Sequence, residues 1–293
     1  MIKQITLIYI INLLFLNNLF AYNLDNECEK LLANGEFNKA VEAAEKLKNQ
    51  DDFGGSFCMG KALFNSNENL KAVTAFTEAE SKAKHPSDQM LAMIFQGLAL
   101  KDEKQYEKAH KVFNKGLETA KLGNSKFMQF ERRFLNQIGD INKLLGKHDI
   151  ALENFTEGLK KSANDDERAE SYEKLANNAA DRNDYGQAVE FSLKSMLAYK
   201  KIGDLGQFAE LSLLNAHYQK LDNNYAKAKE SIFNLEKFCI DNGGDYYLAK
   251  AYLLMDSLLD AKDKNGINYK EKGRALAVKL GASDLLKWDI NTI

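Results

Sequence analysis

Proline is almost missing: Pro86 is the single one in 293 residues. A helix interior loses about 3 kcal/mol to a proline, so this chain has almost nothing to interrupt its helices. Runs of Val, Ile and Thr alternating with polar residues at period two are missing as well, which removes the usual signature of strands. Leu, Ala, Lys and Glu are plentiful, and an all-α protein is what these absences leave. An excess of one charge is also lacking. Forty Lys and Arg face 42 Asp and Glu, for a formal net charge of −2. The two signs are mixed along the chain, so no basic face can neutralise a row of phosphates, and nucleic acid is not an expected partner.

Groups that carry chemistry are few and scattered. Four isolated histidines (His85, His110, His148, His217) and three cysteines (Cys28, Cys58, Cys239) fall at no metal-ligand spacing. No HExxH, CxxC, GxSxG or GxxxxGK[ST] string occurs. The expectation is no metal, no cofactor, no catalytic residue and no enzymatic activity.

A long apolar run is present only at the start. Residues 1–21, "MIKQITLIYIINLLFLNNLFA", place Lys3 before a predominantly apolar run of 12 residues, Ile5 to Leu16, and close on Ala21. A spanning helix needs about 20 such residues, so the run suits the core of a secretory signal peptide. Cleavage after Ala21 would release residues 22–293 into a periplasmic or secreted location, with no membrane span remaining. Leu19, two positions before the cut, is larger than the usual small residue, and an uncleaved anchor is the second reading. Export would put the cysteines in an oxidising compartment, where an odd number leaves at least one thiol outside any intramolecular bridge.

What is abundant is a pattern. Around Ala151, "IGDINKLLGKHDIALENFTEGL" has Gly139 twelve residues earlier, Gly146 five earlier, His148 three earlier and Phe155 four later. The same offsets around Ala109 give Gly97, Lys104, Tyr106 and Phe113; around Ala72 they give Gly60, Asn67, Asn69 and Phe76. Ala40, Ala188 and Ala228 repeat the template, with Cys28, Ala176 and Ala216 as the early small residues. Successive key alanines lie 32, 37, 42, 37 and 40 residues apart, the range of helical-hairpin repeats.

The pairs Met59-Gly60 and Ile138-Gly139, the turns at Gly35 and Gly146, and "YEKAHKVFNKGL", "HDIALENFTEGL" and "YGQAVEFSLKSM" resemble the tetratricopeptide repeat (TPR) over nearly all of residues 22–293. The long intervals are similar to the longer-helix variety of kinesin light chains and bacterial regulators. The resemblance implies a right-handed α-solenoid of about seven helical hairpins. Residues 245–264 would be the seventh helix A and 269–281 its helix B. "SDLLKWDIN" would be a C-terminal capping helix with Ser283 as N-cap and Leu285, Leu286 and Trp288 on its apolar face. In that register Cys28 and Cys58 fall on neighbouring helices, as a disulfide or as two reduced, buried thiols.

A TPR groove is lined by helix A and holds a protein or peptide segment. Carried over by position, its lining residues are Asn136, Asp140, Lys143, Glu173, Asn177, Ser212 and Gln219, with the sixth repeat read one residue out of register. An ordinary solvated helix face is the alternative. Asp140 and Glu173 are acidic where a clamp for a terminal carboxylate needs cations, so that subtype is not expected. Phe57, Lys61, Phe64, Ile94 and Leu98 occupy the equivalent places at the amino end, as an apolar subsite or as core. The resulting expectation is a non-enzymatic adaptor for a protein or peptide partner, its oligomeric state open. The alternative is a peptide-sensing or phosphatase-like regulatory TPR protein.

Overall fold

The computed structural model describes residues 26–288, so the candidate signal segment 1–21 lies outside the described residues. Every regular element among them is helical. They form two compact units that meet in sequence at Gly146 and Lys147. The first holds α1 (Glu27–Ala33), α2 (Phe37–Lys48), α3 (Asp52–Asn65), α4 (Asn69–Lys82), α5 (Pro86–Asp102), α6 (Tyr106–Leu122) and α7 (Met128–Leu144). The second holds α8 (His148–Lys160), α9 (Asp165–Asp181), α10 (Tyr185–Ile202), α11 (Leu205–Leu221), α12 (Tyr225–Asn242), α13 (Asp245–Leu258), the short α14 (Ala261–Lys264) and α15 (Tyr269–Lys279). Within each unit every helix but the short α14 packs on its sequence neighbours, with α13 packed directly on α15, as stacked antiparallel hairpins do.

The repeat template is realised position by position. The residue five before each key alanine is Gly35, Asn67, Lys104, Gly146, Asn183 or Asn223, and all six have φ between +56° and +74°. This left-handed residue ends helix A and releases the chain into helix B. Gly and Asn accept that conformation easily; Lys104, which has a Cβ and no short side-chain amide, takes it at a cost of roughly 1 kcal/mol. All six key alanines are fully buried.

Helix A and helix B bury themselves differently. α3, α5 and α11 are apolar around most of their circumference and are buried between neighbouring helices. Helices such as α2 and α6 carry one apolar stripe with the key alanine at its centre. In the first unit the closest approach is a ring in a glycine gap: a Cβ on Gly60 would lie 2.5 Å from the Phe76 ring, and one on Gly97 2.2 Å from Phe113.

Three local expectations are corrected. Helix A of the seventh hairpin stops at Leu258 because Leu259 turns extended and the Asp260 carboxylate caps a new helix by accepting from the Asp263 N–H at 2.8 Å. The terminal cap is one 3₁₀ turn, Leu285–Lys287, with Leu285 buried, Trp288 partly buried and Leu286 exposed. Ser283 does not cap it; Asp284 is instead held by the Tyr246 hydroxyl at 2.6 Å. The sixth hairpin keeps the unshifted template, with Ala216 fully buried and α11 buried at Phe208, Ala209 and from Leu211 to Gln219. An apolar stripe could not show the register of a helix buried on all sides.

Candidate functional site

Polar side chains bond one helix A to another at four places, two in each unit. In the first unit, Lys61 on α3 pairs with Glu29 on α1 and lies 5.2 Å from the centre of the Phe57 ring. Burial pulls the Lys61 ammonium below its usual range, against the opposing pull of Glu29. Lys101 on α5 donates to the Gln137 carbonyl on α7 at 3.1 Å and lies 3.9 Å from the Asp140 carboxylate.

In the second unit the Tyr218 hydroxyl on α11 donates to the Asn177 amide oxygen on α9 at 3.1 Å. Lys250 on α13 donates to both Glu210 oxygens at 2.8 and 2.7 Å. The same ammonium lies over the rings of Tyr246 and Trp288, at 5.3 and 5.7 Å, so the terminal turn is tied to this face. The rungs join residues 32, 36, 41 and 40 apart, about one repeat each time.

Glu173 is the one carboxyl here whose proton affinity is strongly altered. Burial pushes its pKa up to about 7; Glu170 and Glu210 add to the shift, while Lys174 and the Tyr199 hydroxyl, 3.5 Å away, oppose it. Tyr218 is pushed up to about 12, first by burial and then by Asp181 and Glu173. Near neutral pH Tyr218 is therefore a donor, and Glu173 holds its proton more readily than an exposed carboxyl.

The residues named from sequence divide into three sets. Asp140, Lys143, Glu173 and Asn177 are partly buried on α7 and α9, where such side chains can meet a ligand. Asn136 is 1% exposed, and neither polar atom of its amide has a partner among the described residues. Ser212 and Gln219 are buried and committed internally. The Ser212 hydroxyl donates to the Phe208 carbonyl, while Gln219 donates to Asn215 and accepts from Ser231. Their assignment came from the shifted register, which turned interior positions into apparent groove positions.

At the amino end Phe57, Phe64 and Ile94 are core. Phe57 alone meets Phe53, Phe76 and Phe95 with ring centres 5.3–5.7 Å apart. Lys101, Gln137, Glu210, Tyr218 and Lys250 were missed. The signal that finds them is a complementary polar pair one repeat apart on helix A.

Cys28 and Cys58 are joined as a disulfide between α1 and α3. Cys239 is a free, buried thiol whose pKa burial pushes up to about 11. Among the described residues no cluster of His, Cys, Asp and Glu could hold a metal ion, and no helix is long and apolar enough to cross a membrane.

These hairpins, with left-handed A-to-B turns and a buried alanine in each helix B of the template, have a known architecture. The fold is that of the tetratricopeptide repeat. The apo form of RapI superimposes with a TM-score of 0.66 at 15% identity, over 83% of this chain and 69% of that one. Aspartyl phosphate phosphatase F from Bacillus subtilis gives 0.64 at 13% identity, over 84% and 67%. The C-terminal part of a TPR repeat-containing protein from Cytophaga hutchinsonii gives 0.58 at 14%, over 89% and 98%. No family model matches the chain, and no curated protein matches it by sequence. At such identities the likeness is one of fold.

Proposed function

We propose that this chain is a non-enzymatic adaptor that holds a protein or peptide segment against its helix-A face, in the bacterial periplasm or cell envelope. The observation that carries this reading is the series of polar rungs on successive helices A. In the first unit they leave Asp140 partly exposed on α7, and in the second Glu173 and Asn177 on α9, where each can bond the polar groups of an added segment. Export rests on residues 1–21, and the Cys28–Cys58 disulfide supports it, because such bonds persist in oxidising compartments.

The test is capture from a periplasmic extract with residues 22–293, comparing wild type with Asp140→Lys combined with Glu173→Gln. The adaptor reading expects a partner that wild type retains and the variant loses with no lowering of the melting temperature. Recovery of the same partners by both would remove the helix-A face from the account. A regulatory reading, peptide-sensing or phosphatase-like, is favoured by the fold likeness to aspartyl phosphate phosphatase F. Catalysed loss of phosphate from a phosphoaspartyl protein would replace the adaptor reading with that one.

A further inference from the structure

The helix-B side of the first unit carries a groove that its own hairpins leave unfilled. It lies between α2 and α4 above α3, encloses about 550 Å³, and has Val41, Met59, Leu63 and Ala75 along its floor. Glu42 and Glu45 stand on the α2 rim, Glu68 and Glu78 on the α4 rim. Lys71 is the one cation in the lining and pairs with Glu68, and Lys48 beside the groove pairs with Glu78 and reaches Glu45. Four carboxylates around an apolar floor suit an apolar ridge edged with cations.

The second unit carries such a ridge. Leu193 and Leu197 sit one turn apart on α10, 42% and 54% exposed. Lys194, Lys200 and Lys201 flank them: Lys194 pairs with Glu190, Lys201 with Asp165, and Lys200 lies over the Phe208 ring. Residues at i and i+4 on one helix face are neighbours that can enter one groove together.

We propose that α10 of one copy docks in the α2–α4 groove of a second copy, with the leucines on the apolar floor and the lysines against the carboxylate rims. The leucines supply the affinity by leaving water, and the charges set the register and exclude acidic alternatives. The rims and the ridge lie on helices B, and none of the groove's lining residues belongs to the polar rungs of the helix-A face.

Sedimentation of residues 22–293 over a range of concentrations tests the proposal. Wild type is expected to self-associate. Leu193→Glu with Leu197→Glu should weaken association by about tenfold or more, as loss of central anchors does. Glu42→Lys with Glu45→Lys, and Lys194→Glu with Lys201→Glu, should each weaken it as separate chains, and a mixture of the two should associate again. A chain that stays monomeric at every concentration, variants that associate like wild type, or a mixture that stays dissociated would overturn the proposal. A monomeric wild type whose groove takes up a foreign leucine- and lysine-bearing helix would overturn it too. Each variant leaves the helix-A face intact, so partner capture by that face reports separately.

Discussion

Two hairpins of the first unit close with rings seated in glycine gaps, whereas two hairpins of the second meet the same positions with alanines, beside a buried hydrogen-bond network. In the first, Phe76 and Phe113 fill the space left by Gly60 and Gly97, and Phe134 presses on Gly116. In the second, Ala176 and Ala216 take the glycine position, and Ser192 and Ile232 replace the ring. Asn215 there donates to the Val189 carbonyl and the Ser192 hydroxyl, and Gln219 and Ser231 extend the network. One hairpin contact thus has two solutions. A dry ring-in-gap contact is vulnerable to changes of volume, and a polar contact to loss of a partner.

The largest effects should fall on the dry unit. Phe113→Ala opens a cavity in a contact with no exposed surface and should cost about 3–5 kcal/mol, read by denaturant titration. Reducing the Cys28–Cys58 bridge, or replacing it by serines, should cost roughly 3–4 kcal/mol for a closed interval of 30 residues. Hydrogen exchange should show that loss in residues 26–146 and not in 147–288. Smaller effects belong to the polar unit. Asn215→Ala removes one hydrogen bond each from the Val189 carbonyl, Ser192 and Gln219 and should cost about 1–3 kcal/mol. Asn215→Leu in a swollen or unfolded state would show that volume also governs this contact.

A pH series sharpens the contrast further. The folded-state pKa of Glu173, about 7, lies above its ordinary 4.5, so folding retains a proton that the unfolded chain releases. The associated stability is fully present below about pH 4.5 and is lost as pH rises through 7. Glu173→Gln should melt like wild type at pH 4 and higher than wild type at pH 8. The smallest effect is Lys104→Gly, which relieves a side chain from a φ of +56° and should stabilise the first unit by roughly 1 kcal/mol.

How far the sequence was legible follows from the same physics. Turns, key alanines and the glycine gaps could be read because each rests on one strict local demand, such as positive φ at Asn67 or absence of a Cβ at Gly97. The register of α11 could not, because a helix apolar on all sides has no stripe to phase it, and Ser212 and Gln219 were assigned outward as a result. The end of α13 was hidden for a different reason: Asp260 caps a helix start inside what looks like continuous helical sequence. Polar rungs such as Lys101–Gln137 and Glu210–Lys250 join distant residues, and one helix at a time gives no hint of them.

The helix-A face as docking surface is the central claim, and amide hydrogen exchange on the chain with its captured partner tests it most directly. The account predicts added protection in peptides covering α9 and α11, with α8 and α10 unchanged. Protection confined to α8 and α10 would contradict it.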